Sequence, residues 1–171
     1  MKICLITEPT ATGGIYRYTT DLIAALGDRV ETRIAMEPNP SDDIIHIQHA
    51  WGYMPPEFIL NMKTRPELNL KPFIVTLHEI PLWPHENWYK RAGVDFIIGN
   101  TMMERELLRL EVSQEKIHVI PHGAKIWNPI PKQEARRKLE LSIPYKNIIT
   151  QPGFASWGKG ISEVIYAVSR I

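Results

Sequence analysis

The sequence alternates short apolar runs with stretches whose apolar residues recur at helical spacing, and this alternation restricts the possible folds more than any other feature. The apolar runs cover residues 3–7, 31–36, 43–48, 73–77, 95–99, 116–120 and 148–151. Helical patterns cover residues 15–26, 56–62, 131–139 and 159–171, and another begins at Thr101. Strands that alternate with helices form βαβ units, and strands that are apolar throughout are covered on both faces. The sequence therefore predicts an α/β fold, a Rossmann-like doubly wound parallel sheet that binds its ligands at the carboxyl ends of the strands.

Composition narrows the classes of function. The 171 residues carry a net charge of +1, which does not favour a nucleic-acid partner. The single cysteine, Cys4, lies inside the first apolar run, which is typical of a small core residue in a reducing compartment. No apolar run approaches the ~20 residues of a membrane span. We therefore expect a cytoplasmic globular protein, with peripheral association to a membrane left open.

Two adjacent glycines, Gly13 and Gly14, separate the first strand from the first helix. Glycine occurs where the backbone takes a positive φ or where something approaches the backbone closely, and at a helix N-terminus that is often an anion. Arg17, in the first helical turn, could reach the same anion. The alternative is a tight turn that binds no ligand.

Two nucleotide-binding signatures are incomplete around this pair. Residues 15–17 contain neither the lysine nor the Ser or Thr of a P-loop, and the third glycine of G-x-G-x-x-G is missing. Glu37 nevertheless follows about 20 residues later, where dinucleotide-binding sheets carry an acid that binds the ribose. A nicotinamide-dependent oxidoreductase therefore stays open as an alternative function.

Polar residues also follow three later strands, as Gln48-His49, His78-Glu79 and His122-Gly123. Because parallel strands end at one edge of a sheet, we expect these residues to share that edge with the glycine pair. A histidine there can exchange a proton near neutral pH or bind a hydroxyl group. Three of the histidines could converge, but the chain has no H-x₃-H or cysteine ligand pattern, so no metal site is predicted.

The last segment, QPGFASWGKGISEVIYAVSRI, repeats the opening arrangement of strand, glycine loop and helix. It follows a stretch with Pro129, Pro131 and Pro144, which is typical of a connection between domains. Lys159 lies at the predicted helix start, where a cation and the helix N-terminus suit an anion. We therefore predict one domain over residues 1–145, and the first strand and helix of a second domain over residues 146–171.

Five segments lie in order along the chain: TGGIYRYTTDLIAAL, IVTLHEIP, GNTMMERELL, VIPHG and QPGFASWGKGISEVIYAV. Together they resemble the retaining glycosyltransferases of the GT-B fold, family 4, whose donors are nucleotide sugars. The resemblance implies a two-domain enzyme with its active site in the cleft between the domains. This chain would supply the N-terminal, acceptor-side domain and the beginning of the donor-binding domain.

The resemblance also implies roles for individual residues. Gly13 and Gly14 would lie near the donor phosphates and the acceptor, and His78 would be the catalytic residue that faces the transferred sugar. Lys159 would hold the donor diphosphate, and Gly160 would permit its close approach. The remaining candidates for the acceptor side or the cleft are Arg17, His49, Glu79, His122 and Gly123.

The implied reaction transfers a sugar from a nucleoside diphosphate to the hydroxyl of a sugar, lipid or other acceptor, with retention and without metal or cofactor. Two departures from the family matter. The loop Phe154–Gly158 lacks the arginine that many relatives carry, and the paired glutamates of the donor domain would lie beyond Ile171. We therefore expect transfer to need a partner chain or a C-terminal domain, and a noncatalytic acceptor-binding subunit is a further alternative. The identities of the sugar, nucleotide and acceptor do not follow from the sequence.

Overall fold

The computed structural model describes residues 1–7, 13–49, 54–78, 88–110, 112–124, 126–141, 147–151 and 159–170, with the backbone alone at residues 49, 88, 103, 104 and 107. The chain divides into two compact units, Met1–Lys125 and Ile126–Ile171. The domain boundary expected near residue 145 falls among residues 142–146, which lie outside the described residues, so it stays a prediction.

The first unit contains a six-stranded, wholly parallel sheet. Its strands are β1 (Lys2–Ile6), β2 (Glu31–Ile34), β3 (Ile44–His49), β4 (Phe73–Leu77), β5 (Phe96–Gly99) and β6 (Ile117–Val119). Their order is β2-β1-β3-β4-β5-β6, so the chain reverses its direction across the sheet between β1 and β3. This confirms the predicted α/β, Rossmann-like doubly wound fold and places its topological switch point between those two strands.

Helices connect the strands of this unit. They are α1 (Gly14–Leu26), α2 (Pro56–Lys63), α3 (Trp88–Ala92) and α4 (Met102–Leu108), with 3-10 turns at Gly27–Arg29 and Gln114–Lys116. Because crossovers between parallel strands are right-handed, reversal at the switch point puts helices on both faces of the sheet. The sequence did not predict α3, because its five residues are too few to show a helical period. None of the helices in the described ranges has the length and hydrophobicity needed to cross a bilayer.

The hydrophobic core covers one face of the sheet. Alternate strand residues point to this face, and those buried on it are Cys4, Ile6, Ile45, Ile47, Phe73, Val75, Leu77, Ile97 and Ile117. Residues of α2, α3 and α4 complete the cluster, among them Ile59, Tyr89 and Leu108. Cys4 is fully buried, and this burial raises the pKa of its thiol to about 11, which confirms it as a core residue.

The opposite face becomes polar towards the carboxyl ends of the central strands. The register pairs Leu5 with His46, and Gln48 with Thr76. Because side chains alternate along a strand, His78, two residues after Thr76, belongs to this face as well. The fold thus separates an apolar core on one face from a row of polar residues on the other, at the edge where ligands are expected.

The second unit contains α5 (Lys132–Lys138) and α6 (Ile161–Val168), which match the predicted helices. The strand predicted at residues 148–151 is wrong, because residues 147–151 have no regular secondary structure. A strand needs a neighbour for its backbone N–H and C=O groups, and the described residues of this unit include none.

Candidate functional site

Three aromatic rings from separate segments meet at the carboxyl edge of the sheet. His78 directly follows β4, His122 follows β6, and Tyr18 comes from α1. The ring centroid of Tyr18 lies 5.0 Å from that of His78, edge to face, and 4.7 Å from that of His122. The two histidine rings lie 4.8 Å apart. The structure therefore brings together two predicted site residues, along with one that the sequence analysis treated only as part of a helix face.

The end of β4 is held from both sides. Asn100, after β5, donates a side-chain hydrogen bond to the carbonyl of Leu77. On β3, the side-chain oxygen of Gln48 lies 2.8 Å from Nε2 of His78. Gln48 is fully buried, so the imidazole of His78 is tied to a rigid part of the sheet.

Two buried polar atoms lie at the switch point itself. Thr7 follows the last residue of β1, and extending the pairing of Ile6 with Ile47 by one residue places it beside Gln48. Among the described residues, neither Thr7 Oγ1 nor Gln48 Nε2 has a hydrogen-bond partner. A buried polar group without a partner costs about 1–3 kcal/mol, so each of these atoms calls for a partner such as a ligand, an ion or an ordered water.

Gly14, the first residue of α1, is exposed, whereas Gly13 before it is buried. Gly13 has φ −69° and ψ 149°, and it caps the helix without a side-chain hydrogen bond. Among the described glycines, Gly27, Gly93 and Gly160 have a positive φ and this pair does not, so backbone strain does not explain the pair. Within the described part of the chain, a Cβ atom at Gly14 would meet no other atom within 4 Å. The fold therefore has room for a larger residue there, and close approach by a ligand is one reason to keep glycine.

Burial controls the charge of two side chains near the ring cluster. It raises the pKa of the Tyr18 hydroxyl, which stays a neutral hydrogen-bond donor at neutral pH. Burial also lowers the pKa of His46 to about 4, and its Nε2 lies 2.8 Å from Thr76 Oγ1. His46 is therefore a neutral structural residue beneath the site. No group of three or more His, Cys, Asp or Glu residues in the described ranges is arranged to hold a metal ion.

The other predicted residues have different placements. Arg17 is exposed in the first turn of α1, and Gly123 is exposed beside His122. His49 ends β3, but its side chain lies outside the described residues, as does the whole of Glu79. The structure therefore brings only part of the predicted set to this edge.

Lys159 and Gly160 belong to the second unit. Lys159 is exposed, and its carbonyl accepts a 2.8 Å hydrogen bond from Nε2 of Gln151. Gly160 caps α6 with φ 65° and ψ 28°, a left-handed conformation that glycine adopts without strain. Glu37, the ribose-binding acid of the oxidoreductase alternative, forms a 3.2 Å ion pair with Arg65.

The sequence patterns did not indicate Tyr18, Thr7 or the contact made by Gln48 as parts of the site. Tyr18 falls in the helical pattern predicted over residues 15–26, where its spacing shows only that it belongs to the apolar face of the helix. A signal for Gln48 was present, because an amide that interrupts the apolar run IIHIQ near its end is unusual for a strand buried on both faces. Its partner lies on another strand, and only the pairing of β3 with β4 identifies it.

No family model matches this chain, and neither a curated protein nor a solved structure is significantly similar to it. Function is therefore inferred from the geometry of the ring cluster and from the start of α1.

Proposed function

We propose that this chain forms the acceptor side of a retaining glycosyltransferase, which moves a sugar from a nucleoside diphosphate to an acceptor hydroxyl. The observation that carries the proposal is the cluster of Tyr18, His78 and His122 at the carboxyl edge of a doubly wound sheet. The five motifs that resemble family 4 transferases add to it. Retention of the anomeric configuration and the class of donor rest on that resemblance.

The ring cluster suits a sugar. The imidazoles of His78 and His122 contain nitrogens that can donate or accept hydrogen bonds, and the Tyr18 hydroxyl is a further polar group. Sugars present hydroxyl groups around an apolar ring, so polar edges beside aromatic faces match their surface. In the proposed reaction, His78 contacts the hydroxyls of the transferred sugar.

The start of α1 suits the donor's phosphates. First-turn N–H groups of the 13-residue helix have no side-chain cap, and Gly14 adds no bulk in front of them. A helix N-terminus carries about half a positive charge and stabilises a nearby anion. As the sugar–phosphate bond breaks, negative charge develops on the leaving diphosphate, and fixed positive groups stabilise it. Arg17, in the first turn of α1, would add to this stabilisation, and the resemblance implies that Lys159 holds the donor diphosphate.

Ligand binding by the whole chain tests the proposal. We expect saturation-transfer NMR with a panel of nucleoside-diphosphate sugars to show binding in the presence of EDTA. His78→Ala should weaken binding, whereas the matched variant His118→Ala should not, because His118 is exposed on β6 and packs on Phe96 instead. Because the paired glutamates of the donor domain would lie beyond Ile171, we expect weak binding, and no binding even at millimolar donor would contradict the proposed contacts of His78 and α1 with the donor.

A transfer assay separates the remaining alternatives. Mass spectrometry of acceptor mixtures would detect glycosylated product, and NMR of the anomeric proton would report retention or inversion. Product formed by this chain alone would exclude the noncatalytic-subunit alternative, whereas product formed only with an added partner chain would favour it. Fluorescence titration with NADH tests the oxidoreductase alternative. Tight binding of NADH without binding of a sugar nucleotide would contradict the proposed transferase and favour the oxidoreductase.

A further inference from the structure

We infer that Gln48 is a positioning residue that fixes the tautomer and orientation of the His78 imidazole, so that Nε2 carries the proton and Nδ1 is the acceptor. The inference about the ring rests on geometry alone, whereas its consequence for sugar transfer rests on the proposed function.

The hydrogen bond between His78 and Gln48 determines which imidazole nitrogen carries the proton. Nε2 of His78 lies 2.8 Å from Oε1 of Gln48. A side-chain amide oxygen only accepts hydrogen bonds, so the imidazole nitrogen must donate. In a neutral imidazole the other nitrogen, Nδ1, then holds the lone pair.

Gln48 and the neighbouring aromatic rings restrict the movement of the His78 imidazole. Gln48 lies within β3, is fully buried, and is paired in register with Thr76 on β4. The imidazole is therefore held by a strand and not by a loop. On the other side, Tyr18 meets the ring edge to face and His122 lies against it, at 5.0 and 4.8 Å. These contacts restrict both the rotation of the ring and the identity of its protonated nitrogen.

The residue that accepts the hydrogen bond from His78 is a glutamine and not a glutamate. A glutamate of the same shape would also accept the hydrogen bond, but its charge would favour the imidazolium form of His78. Glutamine instead supports a neutral ring that has one donor and one acceptor. Among the described residues, the titratable groups whose rings lie against it are Tyr18 from α1 and His122 from the segment after β6. A neutral ring with Nδ1 as acceptor can bind a sugar hydroxyl as a donor.

The buried amide nitrogen of Gln48 argues that this residue positions His78 and does not merely stabilise the fold. Nε2 of Gln48 is buried without a partner among the described residues, so this side chain is a costly way to fill space. An apolar residue of similar volume should be tolerated by the fold. If glutamine were present only for packing, replacing it would lower stability and leave the tautomer unchanged.

Nitrogen-15 NMR of the full 171-residue chain tests the inference without any substrate. In the unaltered chain we expect the Nε2–H tautomer at His78, with an Hε2 proton that exchanges slowly with water and shows a nuclear Overhauser effect to Gln48. Gln48→Leu should remove that slow proton and give mixed tautomers, with no fall in the thermal midpoint. Gln48→Glu should keep the proton and raise the pKa of His78. The exposed control Gln114→Leu should change neither signal.

Three results would overturn the inference. They are an Nδ1–H tautomer in the unaltered chain, a His78 spectrum that Gln48→Leu leaves unchanged, and a Gln48→Glu variant in which the slow proton is lost. If Gln48→Leu does not fold, the unaltered chain and Gln48→Glu still decide. In an active transferase we expect Gln48→Leu to lower kcat by about tenfold or more. Absence of transfer with the expected tautomer present, even when a partner chain or C-terminal domain supplies the donor-binding half, would refute the proposed function and leave the positioning role of Gln48 standing.

Discussion

The substitution Gly14→Ala tests whether glycine at this position is required for binding a ligand or for the stability of the fold. Gly14 is the first residue of α1, does not have a positive φ, and has no atom within 4 Å of where a Cβ would lie. Alanine therefore fits without strain, and its smaller conformational entropy in the unfolded chain should stabilise the protein by about 0.4–1 kcal/mol. For a chain of this size, this raises the thermal midpoint by roughly 1–4 °C.

Gly27→Ala is the matched control with the opposite expected sign. Gly27 ends the same helix with φ 54° and ψ −143°, a conformation that only glycine adopts easily. Alanine there should cost about 1–3 kcal/mol. Urea unfolding followed by circular dichroism measures both variants under one condition.

The second measurement is affinity for a nucleoside diphosphate, by isothermal titration calorimetry. If phosphates approach the backbone at Gly14, the new methyl group should weaken binding by about tenfold, or ~1.4 kcal/mol. Loss of stability in Gly14→Ala would refute the argument that the fold does not need this glycine. If the Gly14→Ala variant is stable and its affinity for the nucleoside diphosphate is unchanged, ligand binding does not require glycine at this position.

Three further predictions concern single side chains. His46 has a folded pKa of about 4 against an ordinary 6.5, so the unfolded state binds its proton first, and stability should fall by about 3 kcal/mol as pH drops from 6.5 to 4. Urea unfolding at several pH values should show this fall, and His46→Gln should flatten it. Tyr18→Phe should leave the ring signals of His78 in place in NMR spectra, whereas Tyr18→Ala should shift them, because the ring and not the hydroxyl packs on the imidazole. Lys159→Ala should raise the donor Kd by about tenfold or more in an active transferase, and an unchanged Kd, as expected for the exposed control Lys138→Ala, would show that Lys159 does not bind the diphosphate.

Much of the site could be anticipated from strand ends. Gln48-His49, His78-Glu79 and His122-Gly123 each follow a run that reads as a buried strand, and parallel strands end at one edge. His78 and His122 do lie together at the carboxyl edge of the sheet, as their positions after strands predicted. Strand ends could not show that Tyr18 lies against both rings, because the residue also matched the apolar period of its helix.

The sequence by itself determined the sheet-and-helix alternation, because hydrophobic periodicity is a local property that each strand and each longer helix carries in its own residues. It misjudged residues 148–151, since an apolar run becomes a strand only when another strand pairs with it. Tertiary structure decided which strands are neighbours, and hence that β3 and β4 lie side by side. The contact between Gln48 and His78 depends on that pairing, and no local pattern contains it because its two halves lie on different strands.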